Sequence, residues 1–325
     1  MKIFIAGATG AIGSRLVPLL AAAGHDVIGT SRTPAGAQRV DTAGGTGIVM
    51  DALDPGSVHR EVLDARPDVL VHELTALGDG IDLKHLDQAF ARTNELRTRG
   101  TDLLLSAADE AGVGRVLVQS FTGWPNARTG AAVKTEEDPL DPTPIAGSRG
   151  THSALVHAEE ATLAAGGLVL RYGPLYSPGQ AIGEGGEMLR LVRDRRLPIV
   201  GGGGGVWSFI HVGDAASATA AAVTHGPSGL YNIVDDEPAA VAEWLPELAR
   251  IVGARPPLRV PAWVARPMIG VFGVTWMTAS RGSSNEKAKA LLEWSPRYSS
   301  WREGFRSGLG ETPSRHSASR SKPTD

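Results

Sequence analysis

The sequence predicts an α/β fold: a doubly wound parallel sheet carrying a smaller C-terminal part. Three observations predict it. Short apolar runs alternate with stretches of helical spacing through the first half of the chain, as in a parallel sheet with right-handed crossovers. The run PDVLVHEL has a continuous apolar centre, as a strand buried on both faces requires. Three glycines, Gly7, Gly10 and Gly13, stand directly behind the first apolar run.

The elements follow in order. KIFIAG is the first strand, and AIGSRLVPLLAAAG behind it has helical spacing that ends at Gly24. HDVIGTSR is the second strand, GTGIVMDA the third and SVHREVLDA a short helix. PDVLVHEL, the fourth strand, leads into a long helical run from about Leu83 to Ala111, stopped by Gly112. GRVLVQS is the fifth strand. From Gly123 to Gly150 the chain is rich in proline, glycine and charge and reads as a long loop over the sheet. Loops of that length inside a compact domain are more often functional than idle. Within it, Lys134, Glu136 and Glu137 read as a solvated, mobile charge cluster. THSALVHAEEATLAAGG is helical, and LVLRYG is a sixth strand. The segment Pro174 to Gly205 leaves the sheet. VWSFIHVGDAASATAAAVTHG returns to it as a short strand and an alanine-rich helix. Short strands and proline-broken helices fill the rest to about Leu309. The final ETPSRHSASRSKPTD lacks periodicity and reads as disordered.

Composition narrows the function classes. The chain has 325 residues, 42% hydrophobic and 21% charged, enough for a large core. A net charge of -3 gives no support to a nucleic-acid partner. The absence of cysteine excludes disulfides and thiolate metal sites and fits a cytoplasmic location. The nine histidines show no ligand spacing, so no metal is expected. No signal peptide is visible, because the first strand begins at Lys2. PMIGVFGVTWMTAS, 14 uncharged residues between Arg266 and Arg281, is too short to span a bilayer. It reads as a packed helix or a lid facing a substrate, and no membrane partner is expected.

The glycine turn points to a nucleotide. Between a strand and a helix it presents backbone N–H groups at a helix N-terminus, which suits a diphosphate. Gly7 allows the tight turn, Gly10 the approach of the phosphates and Gly13 the close packing of helix and strand; Ala8, Thr9, Ala11 and Ile12 complete the cradle. A turn without a ligand is the alternative, and the strand–helix context argues against it. The second strand ends in Ser31 and Arg32 rather than in an acidic residue, which favours NADP, with NAD retained. Arg32 reads otherwise as a solvated loop charge. Asp51, beside Ala52, faces either the adenine amino group or its own turn in DALDP.

GATGAIG, MDALD, VLVHELTAL, GTDLLLSAADEAGVGRVLVQS, LRYGPLYSPG, PIVGGGGGVWSFIHVGDAA and NEKAKALLEWSPRYSSWREGF follow one another from residue 1 to about 306. In these the chain resembles the extended short-chain dehydrogenase/reductase family, the NAD-dependent epimerase/dehydratase group. The resemblance implies a Rossmann domain over residues 1–173 and about 206–232, a substrate domain over 174–205 and 233–310, and a tail over 311–325. It implies a homodimer built from helices near 84–111 and 151–165. It also implies cofactor contacts from Leu74, Thr75, Arg97, Ser120, Tyr172 and Gly173. Arg97 stands where the family keeps an asparagine.

The chain departs from that pattern at the chemistry. The family uses a Ser or Thr after the fifth strand and a Tyr-x-x-x-Lys pair, but Thr151 holds the tyrosine position and Leu155 the lysine position. QSFTGW leaves Ser120 and Thr122 as hydroxyls, with Phe121 at the usual site. The remaining proton donors are His152, Thr151, Tyr172 and Tyr176. Each has a plain alternative: a packed aromatic for Tyr176, a surface or dimer histidine for His152, a strand-end cap for Ser120. VWSFIHV lacks the arginine that grips a nucleotide diphosphate in family members acting on nucleotide sugars. Trp244, Trp263, Trp276 and Met277 then suggest a more apolar small-molecule substrate, or simply a core. The expected activity is an NADP-dependent oxidoreductase of a small, fairly apolar carbonyl or alcohol. The alternatives are a non-catalytic NADP(H) sensor, or an epimerase or dehydratase that uses the nucleotide transiently.

Overall fold

The computed structural model describes residues 1–77 and 82–310, so the disorder expected for the tail from residue 311 lies outside the described residues. Seven parallel strands form the central sheet: β1 (Lys2–Ala6), β2 (Asp26–Ser31), β3 (Thr46–Val49), β4 (Val69–His72), β5 (Arg115–Phe121), β6 (Leu168–Tyr172) and β7 (Gly229–Ile233). Their spatial order is β7-β6-β5-β4-β1-β2-β3. Register places Ile5 beside Gly29 on one side and Val71 on the other. The sheet is doubly wound, and β1 shows why it reads as a continuous apolar run. Ile3 and Ile5 pack into one layer with Leu16, Val17, Ala215 and Ala216; Phe4 and Ala6 pack into the other with Val58, Val62 and Leu104.

Helices α1 (Gly13–Ala22), α2 (Pro34–Thr42) and α3 (Pro55–Ala65) follow the first three strands. Periodicity does not mark α2, yet its start is well signalled. Thr33 accepts from the Gly36 amide and proline occupies the first turn, as Asp54 and Pro55 do for α3.

The expected long helix is broken. It comprises α4 (Leu86–Ala89), α5 (Ala91–Glu95), a π-turn at Leu96–Gly100 and α6 (Thr101–Glu110). The loop that follows holds a two-residue strand, Val133–Lys134, paired with Gly282–Ser283. Lys134 is buried and bonds Asp138 at 3.0 Å, and Glu136 accepts from the Asn232 amide at 2.7 Å. Only Glu137 fits the expected solvated cluster; the other two charges fasten the loop.

Helix α7 (Arg149–Ala164) precedes β6 and α8 (Glu187–Arg193) follows it. The return to the sheet differs from expectation. Val206–Trp207 pairs with Ala239–Ala240, and Ile210–His211 pairs with Leu175–Tyr176, both outside the main sheet. The chain regains the sheet only at β7, after α9 (Val212–Ala222). The C-terminal elements α10 (Val241–Ile251), α11 (Ala262–Ala279), α12 (Glu286–Leu291) and α13 (Trp301–Ser307) follow. A separate core of Trp207, Phe209, Trp244, Trp301 and Phe305 lies there. The uncharged stretch forms most of α11, bent at Gly270 (φ +71°). Among the described residues no helix is long and apolar enough to cross a membrane.

Candidate functional site

The site lies at the carboxyl ends of β1, β4, β5 and β6. Gly7 has φ +97°, and a Cβ there would stand 2.7 Å from the Glu73 carbonyl carbon. A Cβ on Gly13 would stand 2.3 Å from the Gly7 oxygen, so the strand-to-helix turn closes only without side chains. Gly10 donates to Gly7 at 3.0 Å, and Gly7 donates to the Thr30 hydroxyl at 3.3 Å. Ala8 and Ile12 are buried in the adjoining core, with Thr9 and Ala11 at the surface of the turn. Ala11 and Ile12 amides have no backbone acceptor among the described residues. A bare turn, free amides and a helix N-terminus together fit a dinucleotide diphosphate.

On the adenosine side, Arg32 is exposed beyond β2 and has no ion-pair partner among the described residues. Ser31 turns inward, accepting from the Thr33 amide at 3.3 Å. Asp51 accepts from Leu53 at 3.0 Å, the turn-capping role, while Ala52 is buried behind it.

At the end of β4, His72 accepts from the Leu74 amide at 3.1 Å and faces the Leu96 carbonyl at 3.4 Å. Burial lowers its pKa to about 4, so it is neutral. Glu73 faces the other layer and accepts from the Tyr172 hydroxyl at 2.8 Å. Burial pushes its pKa up to about 8. Thr75 is exposed on the connection that leaves the crevice, next to half-buried Leu74.

Three of the five expected catalytic residues are hydrogen-bonded to other groups, and a fourth is packed into the C-terminal core. Thr151 is fully buried; its hydroxyl donates to Asp87 at 2.8 Å and accepts from Asn94 at 3.1 Å. Ser120 donates to Glu159 at 2.6 Å, and Glu159 is gripped by Arg171 at 2.8 Å and 2.5 Å. Thr122 shares its hydroxyl with Ser283 at 2.5 Å and fastens the C-terminal part to the loop behind β5. Tyr176 is fully buried in the C-terminal core, edge-on to Phe305 at 5.2 Å, and burial raises its pKa. It packs as a core aromatic, and its hydroxyl has no hydrogen-bond partner among the described residues. Tyr172 is likewise buried, its hydroxyl bonded to Glu73 and to Thr219 at 2.7 Å. Gly173 packs tightly on Ser208, whose oxygen a Cβ would meet at 2.0 Å.

His152 differs. It is buried, and its Nε2 has no partner among the described residues. It lines a crevice between α7, the loop behind β5 and the second half of α11. Trp124, Phe272 and Trp276 form the aromatic wall. Trp124 meets Phe272 at 5.2 Å and the His152 ring at 6.3 Å. Burial lowers the His152 pKa against the opposing pull of Asp141, the Pro125 carbonyl and Glu159. Asp141 is tied to Arg128 at 2.8 Å. Of the residues read as a pocket, Trp276 lines the crevice, Met277 and Trp244 belong to the core, and Trp263 is exposed. Sequence reasoning missed Trp124, Asp141 and Phe272. Trp124 sits in the quoted QSFTGW, and its signal was an aromatic in a long loop.

The sequence profile of the NAD dependent epimerase/dehydratase family matches residues 3–234. A 3-diazoavenalumate denitrifying reductase of a Streptomyces species is 42% identical over 309 residues, spanning 94% of this chain and 99% of that protein. A 4-hydroxy-2-methyl-3-oxo-4-farnesyl-3,4-dihydroquinoline-1-oxide ketoreductase of Stigmatella aurantiaca is 28% identical over 265 residues, 78% of this chain and 74% of that one. The UDP-glucose 4-epimerase of Thermotoga maritima superposes with a TM-score of 0.73 at 21% identity, over 95% of this chain and 97% of the other. A human epimerase family protein solved with NADPH gives 0.71 at 20% identity, over 94% and 98%. At these identities the two solved structures speak for the fold alone.

Proposed function

Since the chain belongs to the NAD-dependent epimerase/dehydratase family, we propose that this NAD(P)-dependent oxidoreductase reduces a planar aryl diazonium compound in the aromatic crevice, releasing dinitrogen. Bound NAD(P)H supplies the hydride. The overall reaction is R–N₂⁺ + NAD(P)H → R–H + N₂ + NAD(P)⁺. The hydride pair forms the new C–H bond, and the C–N pair departs with dinitrogen. No proton enters the balance.

That last point carries the reading. Reducing a ketone leaves an alkoxide that needs a proton donor. Here the tyrosine and lysine positions hold Thr151 and Leu155, and the hydroxyls of Ser120, Thr122 and Thr151 already donate or bond elsewhere. A reaction that needs no acid fits such a site. The crevice has room for about one water, so Trp124, Phe272 and Trp276 would part to take the substrate plane between them. Arg32, exposed and unpaired among the described residues, supports NADPH over NADH. The similarity to the denitrifying reductase supports the diazo group, and the named reductases argue against a mere sensor.

Ketoreduction is a second reading, favoured by the unpartnered Nε2 of His152. One assay separates the two. An aryl diazonium acid and a ketone panel are incubated with NADPH or NADH, following cofactor oxidation and dinitrogen by mass spectrometry. The expected result is NADPH-dependent dinitrogen release that His152→Gln changes by less than about 3-fold. Ketone turnover that His152→Gln lowers by about 10² or more, with no dinitrogen, would establish the second reading instead.

A further inference from the structure

The π-turn carries a buried cation that the reaction above leaves unused. Arg97 is 7% exposed, and its Nε and Nη1 have no hydrogen-bond partner among the described residues. The Phe90 ring lies 5.8 Å away and offers only its face. Burial lowers the guanidinium pKa to about 10, so it keeps its charge at neutral pH. A buried charge without hydrogen bonds is costly, and such a group calls for a missing partner.

Its own protein does not provide one. Glu159 is close enough to act on Arg97 electrostatically, yet Glu159 is already bonded by Ser120 and Arg171. The location says which partner is missing. Leu96, the residue before Arg97, brings its carbonyl 3.4 Å from His72 Nε2 at the end of β4, which the Arg97 charge also reaches. Glu159, its other electrostatic neighbour, is bonded to Ser120 in β5. The guanidinium therefore lies by the carboxyl ends of β4 and β5. With the diphosphate on the N-terminus of α1, behind β1, the nicotinamide half must extend across β4 and β5. Leu155, where the family places a lysine, is 1% exposed and has nothing to donate. The π-turn, a feature frequent at functional sites, buries Leu96, Arg97 and Gly100 together.

We propose that Arg97 anchors the nicotinamide ribose, its Nε and Nη1 hydrogens donating to the ribose hydroxyls in place of the absent lysine. The proposal rests on the cofactor and is independent of the substrate.

Titration calorimetry tests it. NADPH and 2′,5′-ADP, which lacks the nicotinamide half, are titrated into the parent, Arg97→Met and Arg97→Lys. Arg97→Met should lose about 10- to 100-fold in NADPH affinity and less than about 2-fold for 2′,5′-ADP. Arg97→Lys should recover part of the loss. Removing an unpaired buried charge should leave the melting temperature of the nucleotide-free protein unchanged or raised. Equal losses for both ligands, no loss for either, or an effect confined to the KM of a carboxylate substrate would overturn the assignment. Should Arg97→Met not fold, Arg97→Lys and Arg97→Gln carry the same comparison. A parent that binds no NADPH defeats the cofactor reading itself; a parent that binds with indifferent variants defeats only the role of Arg97.

Discussion

At the scale of single residues, Glu73 shows how burial sets an expectation that can be measured. Its carboxyl keeps its proton to about pH 8 in the folded protein, against an ordinary value of 4.5. Between those values the folded state holds more protons than the unfolded one, so stability falls as pH rises. His72 acts in the opposite sense: its pKa falls from 6.5 to about 4, so its contribution grows with pH and is complete by 6.5. Above that, of the two, only Glu73 still acts. The parent should lose about 2 kcal/mol of this contribution between pH 6.5 and 8. Glu73→Gln still accepts from Tyr172 and should abolish that loss; urea midpoints at both pH values measure it, and parallel curves would refute the assignment. None of this was legible in the sequence, because the burial of Glu73 is decided by Tyr172 and Thr219, far away in the chain. Gly7 and Gly13 were legible, since the constraint on a tight strand–helix turn is local.

At the scale of elements, α11 is two helical pieces with different surroundings. Its first half exposes Trp263 and Met268, while its second half carries Phe272 and Trp276 into the crevice. Gly270 joins them at φ +71° and ψ 178°, a conformation open essentially to glycine alone, with a would-be Cβ 3.0 Å from the Lys84 Cα. Gly270→Ala should cost on the order of 1–3 kcal/mol locally. It should raise substrate KM more than it lowers kcat, with NADPH affinity unchanged. Kinetics that leave KM at the parent value would separate the bend from the crevice. The uncharged run announced a helix but not its bend, since glycine is tolerated in helical patterns. Other elements divide the same way. β4 was legible because all four of its residues are buried, whereas β7 begins with a glycine and includes Asn232, so its pattern is weak. The π-turn adds one residue to a helical period, which a hydrophobic pattern does not resolve.

At the scale of the whole molecule, the crevice exists only because distant segments are fastened together. Thr122 and Asn126, behind β5, hold Ser283 at 2.5 Å and 3.0 Å, and Ser283 in turn bonds Ser208 at 2.8 Å. This buried hydroxyl cluster places the second half of α11 against Trp124 and His152. No local pattern signals it, since Thr122 and Ser283 are 161 positions apart. That separation is why the glycine turn is legible in the sequence while the bond between Thr122 and Ser283 is not. Thr122→Val keeps the shape and removes the hydroxyl, leaving Ser283 and Asn126 with a lost partner at a cost of about 1–3 kcal/mol. A fastening role predicts a lower melting temperature, a weakened substrate KM and NADPH affinity at the parent value. A catalytic role predicts the reverse: kcat falls by orders of magnitude while the melting temperature holds. Measuring melting, NADPH titration and steady-state kinetics on the one variant decides between them, because the two roles move different quantities.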